Sequence, residues 1–270
     1  MHRVYWGLAV GLLLVSCREG GEQTELPEES ASPEATESGT VETPRAVGAR
    51  AVVEETDDFL FEYSYPKEAG DIPELAILLD SRLDRLRAAL ASQSAEARDD
   101  AQDNGFPYNK YSNEVIWEVV ADTPQYLSLS ARISNYTGGA HGNYGFDALV
   151  WDKVAARALE PESLFESVGE LDAVVTERLC DMLNRERAKR RGEPVEEESD
   201  NPFEQCVSLD ETTILLGSSN GRIFNRIGVK IGPYVAGPYA EGAYEFTLDM
   251  TPAMLEVVKE ERRSAFAARN

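Results

Sequence analysis

The chain has 270 residues, with 26 Lys plus Arg against 49 Asp plus Glu, and its formal net charge is −23. A field of that sign opposes nucleic acid, whose phosphates require basic neutralisation, and it disfavours direct contact of a folded domain with anionic lipid. It draws in cationic partners instead, or else serves only to keep the surface soluble.

The first residues carry one cation, Arg3, before an apolar run from Val4 to Val15 that ends in Ser16 and Cys17. Such a run is an export signal and is too short to span a bilayer, which takes about 20 apolar residues. The arrangement resembles a bacterial lipobox. By that resemblance residues 1–16 are a lipoprotein signal peptide, and Cys17 carries the lipid that holds the protein to a membrane. Each buried acyl methylene contributes about 0.8 kcal/mol, so two or more chains make a stable anchor. The alternative is an ordinary secretory signal in which Cys17 is incidental. Arg18 stands where an Asp would signal inner-membrane retention, so analogy with lipoprotein sorting points to the outer membrane within a cell-envelope location. Residues 17–50 are rich in Glu, Ser, Thr, Pro and Gly and bury too little to offset chain entropy; they read as a disordered tether with a reach on the order of 30 Å. What remains, about 220 residues, suits one domain or two small, closely packed ones.

From Val52 to Tyr65 the alternation of Phe59, Phe61, Tyr63 and Tyr65 predicts a strand, stopped by Pro66. Ile72, Leu75, Leu79, Leu83, Leu86 and Leu90 recur at helical spacing, so an amphipathic helix follows with its leucine face toward a core. Val115 to Ala121 and Leu127 to Ile133 alternate on either side of a turn at Asp122 to Pro124, which predicts an antiparallel hairpin, and Phe146 to Trp151 supplies a further strand. Leu164 to Met182 restores helical spacing, and strands follow near 212–216, 224–231 and 243–248. A last helix starts at Thr251, an N-cap before a first-turn proline, Pro252. The order predicts an α+β fold, antiparallel sheets with packed helices in two intimately associated subdomains, 51–122 and 123–270.

If Cys17 takes lipid, Cys180 and Cys206 are left as an even pair, free to form a disulfide in an oxidising compartment. A zinc site is the rival, but the wide spacing and the lack of a nearby histidine disfavour it. Between these cysteines a basic cluster, Arg185 to Arg191, gives way to an acidic one, Glu193 to Asp200; this reads as a helix end and a solvated loop.

Two segments have individual character. Asn135-Tyr136-Thr137-Gly138-Gly139-Ala140-His141-Gly142-Asn143-Tyr144 is a glycine corner between strands, and the segment from Ile231 to Gly242 holds two Gly-Pro-Tyr triplets that display Tyr234 and Tyr239. With the Leu164-Phe165 pair that opens the following helix, these motifs resemble the domain of unknown function thirty-two ninety-eight. The preceding strand, Tyr65-Pro66 and the leucine helix are similar to its N-terminal companion, domain forty-one sixty-three. The resemblance implies a kinship with the lysozyme-binding ectodomain of a transmembrane anti-sigma factor and with the non-catalytic part of a peptidoglycan deacetylase. The metal centre of such a deacetylase uses an Asp with two His, whereas this chain holds one histidine beyond its leader, His141.

That histidine restricts catalysis. No Gly-x-Ser-x-Gly elbow accompanies it, so hydrogen bonding across the glycine corner is the plainer role for His141, with ligand contact the next. Tyr136, Tyr144, Tyr234 and Tyr239 are corner or core tyrosines or, as rigid aromatics with a polar tip, binding anchors. The expectation is a lipid-anchored, non-catalytic envelope protein, without cofactor or metal, that recognises a cationic wall hydrolase such as lysozyme or another wall-associated ligand. A scaffolding lipoprotein and a wall-active hydrolase with an unrecognised site are the alternatives.

Overall fold

The computed structural model describes residues 48–196 and 199–269. The expected leader 1–16, the lipidation candidate Cys17, nearly all of the expected tether, and Glu197 and Glu198 lie outside the described residues. The fold is α+β and mostly antiparallel, as the sequence predicts. No helix of the described residues is long and apolar enough to cross a membrane.

Six strands form the first sheet in the order of the chain: β1 (Arg50–Glu55), β2 (Phe59–Tyr65), β3 (Tyr111–Asp122), β4 (Tyr126–Tyr136), β5 (Asn143–Asp152) and β6 (Arg157–Leu159). The single strand expected over Val52–Tyr65 is in fact a hairpin. Thr56 breaks it, its Oγ1 accepting from the backbone N–H groups of Asp58 and Phe59 at 3.1 and 3.0 Å. Phe59, Phe61, Tyr63 and Tyr65 all point to one face, where the helix Pro73–Asp103 covers them with Leu75, Leu79, Leu83 and Leu90. That helix, α2, follows a single helical turn, α1 (Lys67–Gly70), and runs on past Leu90 for three further turns. Arg98 pairs with Asp58 there, and the helix returns the chain so that β3 joins β2 in parallel, the one such pair in the sheet. The length of α2 is what a parallel crossover demands.

The second half adds α3 (Val168–Arg191), a three-stranded meander of β7 (Thr213–Gly217), β8 (Arg226–Ile231) and β9 (Tyr244–Asp249), and a short α4 (Pro252–Glu256). Leu164 and Phe165 do not open a helix as expected. They lie at the end of a 3-10 turn, Pro161–Leu164, fully buried, and α3 begins after Ser167, whose side chain caps it by accepting from Glu170 N at 3.1 Å. Thr251 caps α4 as predicted, accepting from Met254 N at 3.2 Å.

Two cores result. Leu127, Leu129, Leu149 and Trp151 face α2, while Tyr126 and Val150 on the same two strands face the core built by α3 and the meander. The expected division between 122 and 123 falls at the turn of the β3–β4 hairpin, inside the first sheet.

Candidate functional site

The glycine corner joins β4 to β5, and its shape follows from its residues. Gly138 and Gly139 take φ of +92° and +87°, and a Cβ at Gly142 would stand 2.6 Å from Asn135 O. Tyr136 donates its hydroxyl to Gly139 O at 3.0 Å. His141 Nδ1 lies 2.7 Å from Gly142 O. A carbonyl can only accept, so that nitrogen is the donor. This bond runs to the adjacent residue.

The Gly-Pro-Tyr segment, between β8 and β9, folds back onto this corner. Tyr239 stacks on His141 with ring centroids 4.2 Å apart and an interplanar angle of 19°. It meets Tyr144 edge to face at 6.3 Å and Tyr234 at 5.6 Å. Tyr234 is 50% exposed and holds φ of +69°, a conformation that a non-glycine residue adopts only where its surroundings impose it. Tyr144 is fixed at both ends: Arg132 lies 4.3 Å over its ring, and its hydroxyl accepts from Ala243 N at 2.9 Å. Tyr136, Tyr144 and Tyr239 line one cavity of about 340 Å³ on the sheet face opposite α2, with Glu62, Glu114, Arg132 and Ser134 from β2, β3 and β4. The structure thus brings all five sequence candidates to one place: three on the cavity, His141 and Tyr234 against Tyr239.

The basic cluster at the end of α3 is not merely a helix end beside a solvated loop. Arg187 is completely buried; Nε donates to Ala236 O at 3.0 Å, and Nη1 donates to Gln205 O at 2.9 Å and Asn184 Oδ1 at 3.0 Å. Arg191 grips Glu241 through both carboxylate oxygens, at 2.8 and 3.1 Å, and Arg190 donates to the carbonyls of Glu241 and Ala243 while lying 3.9 Å over the Tyr244 ring. Three arginines therefore clamp the tyrosine loop from below. Burial alone would raise the Glu241 carboxyl, but the hydrogen bonds from Arg191 and Tyr244 outweigh it and hold that group below its ordinary value. Burial, reinforced by neighbouring Arg191, pushes the Arg187 guanidinium down. Cys180 and Cys206 form the expected disulfide, with Cα atoms 5.3 Å apart, one residue from the Gln205 carbonyl that Arg187 holds. The sequence carried a signal for the buried arginine: Leu171, Val175, Leu179, Leu183 and Arg187 continue one helix face at four-residue spacing.

Comparison with known proteins gives a partial match. Residues 52–144 match the family model described as "Deacetylase PdaC", a span that runs from β1 through the glycine corner. No curated protein matches the chain. Among solved structures, a member of the DUF3298 family from Bacteroides fragilis shares 16% identity, covering 83% of this chain and 98% of its own, with a TM-score of 0.45. A DUF3298 family protein from Pseudomonas aeruginosa shares 13% identity, covering 84% of this chain and 100% of its own, with a TM-score of 0.46. The deacetylase named by the family model agrees, over residues 52–144, with the resemblance drawn from the sequence.

Proposed function

We propose that the protein is a lipid-anchored, non-catalytic component of the cell envelope that binds a cationic wall-associated protein, a lysozyme-like muramidase being the leading case. Cys17 would hold it to the membrane, with the outer membrane preferred. The observation that carries the reading is the meeting of Tyr144, Tyr239 and His141 beside a cavity whose wall bears Glu62 and Glu114. Carboxylates and tyrosine faces together suit a Lys or Arg side chain projecting from a partner: the carboxylates supply charge-assisted hydrogen bonds and the rings attract the cation. A net charge of −23 steers such a partner toward the domain. Binding is favoured over chemistry because the one ring nitrogen of His141 with a hydrogen-bond partner meets a backbone carbonyl and not a hydroxyl nucleophile.

The test is binding of the chain without its leader to lysozyme, at low and at physiological salt, with a basic protein of similar size as control. Binding that survives physiological salt, excludes the control and falls at least tenfold in Glu114→Gln or Tyr239→Ala supports the reading. Equal binding to both proteins, erased by salt, refutes it and leaves a scaffolding role.

A further inference from the structure

Among the described residues the outer edge of β1 is long and pairs with no strand. Natural sheets blunt such edges with short strands, proline, charged side chains, bulges or a covering element, because an open row of backbone groups recruits another strand. Here β6 has three residues, β9 lies against α3, and β7 packs onto β3, β4 and β5. By contrast β1 runs six residues, Arg-Ala-Val-Val-Glu-Glu, with no Pro or Lys, in unbroken register with β2 from Arg50 opposite Tyr65 to Glu55 opposite Leu60. No strand among the described residues pairs with its outer side. Val53, on this strand, is 70% exposed.

We propose that β1 is the seam of a two-fold dimer, in which β1 of one copy pairs antiparallel with β1 of a second copy and joins the two sheets into one of twelve strands. The symmetry fixes the register. A two-fold axis normal to a continuous sheet keeps each face on its own side, so residues directly opposite must share a face. Val52 and Glu54 share the α2 face with Phe61 and Tyr63, whereas Ala51 and Val53 share the other with Glu62. The axis must therefore pass through a residue, not between two. Centred on Val52, the strand sets Val52 against its own copy, Ala51 against the second copy's Val53, and Arg50 against the second copy's Glu54, so that two ion pairs flank an apolar centre. Centred on Val53, it sets Glu54 against valine and Glu55 against alanine, so neither carboxylate gains a cation from the second copy beyond those of its own chain, Arg87 and Lys110. The first register is self-complementary in charge, and it already has supporting groups on α2, where Asp80 pairs with Arg50 and Arg87 with Glu54. The exposed Val53 is covered, and the two cavities come to lie on one face of the joined sheet.

Sedimentation of residues 17–270 carrying Cys17→Ser, so that neither leader nor lipid drives association, tests this at micromolar concentration and physiological salt. The wild-type sequence should sediment as a dimer. Arg50→Glu and Glu54→Arg should each weaken dimerisation about tenfold or more, and an equimolar mixture of the two should dimerise again, since each supplies the charge the other lacks. Val53→Lys, at a side chain already in solvent in the single chain, should give the same loss with an unchanged circular dichroism spectrum. A monomeric wild type, single variants that dimerise like it, or a mixture that stays monomeric would each overturn the proposal. A chain beginning at residue 48 that dimerises while the chain beginning at residue 17 does not would overturn it too, by showing that the chain's own N-terminal segment occupies the edge.

Discussion

His141 and Tyr239 lie ring on ring, 4.2 Å between centroids, although one belongs to the corner of the six-stranded sheet and the other to the loop of the meander. Neither segment alone presents a surface; each supplies half of one. Tyr239→Ala should therefore remove the wall shared by His141, Tyr144 and Tyr234, lowering ligand affinity at least tenfold at a cost in stability of about 1 kcal/mol, the size of an aromatic pair. Isothermal titration and chemical denaturation read the two effects separately. Tyr239→Phe, which keeps the stack, should retain binding.

Arg187 is the support on which that loop rests. Replacing it with methionine leaves Ala236 O, Gln205 O and Asn184 Oδ1 without their donor, and a loss of about 3 kcal/mol is expected from denaturant midpoints. Lysine should not rescue it, because a single ammonium cannot reproduce the planar fork that bonds in several directions.

Reduction of the disulfide acts on the same support from the other side. The bridge spans 26 positions, and the chain-entropy estimate for a loop of that size is about 3.5 kcal/mol. Cys206→Ser should lower the unfolding free energy by an amount of this order. Hydrogen exchange should accelerate between Phe203 and Val207, and also near Ala236, whose backbone carbonyl Arg187 also holds.

Acid should release the clamp. Glu241 has a folded-state pKa below its ordinary value of 4.5, so it contributes stability in full above that pH and loses it as the pH falls through the lowered value. Asp152 follows the same sign: burial would raise its carboxyl, but the Ala155 and Val154 amides and Arg262 together hold it down. Stability measured from pH 6 downward should decline below about pH 4.5, and Glu241→Gln should be less stable at pH 6 and flatter in that range.

Much of this architecture was legible from local pattern. The leucines of α2, the alternation of β3 and β4 and the Thr251-Pro252 cap each encode their element within a few residues, and the glycine corner and paired Gly-Pro-Tyr triplets marked the site because their backbone demands are unusual. What was missed is relational. Nothing within a dozen residues of His141 states that Tyr239 will lie upon it. The charge run at Arg185–Arg191 read only as a helix end because composition outweighed the four-residue spacing that put Arg187 inside. The β1–β2 hairpin was hidden because Thr56 to Asp58 is too short a polar break to interrupt the alternation on either side.

The double-sided strands β4 and β5 have a thermodynamic consequence. Because Leu127 and Leu129 serve one core while Tyr126 and Val150 serve the other, neither half of the described fold can melt without stripping a face from the strands of its neighbour. Calorimetry should show a single endotherm whose van't Hoff and calorimetric enthalpies agree, and neither 51–122 nor 123–270 expressed alone should refold.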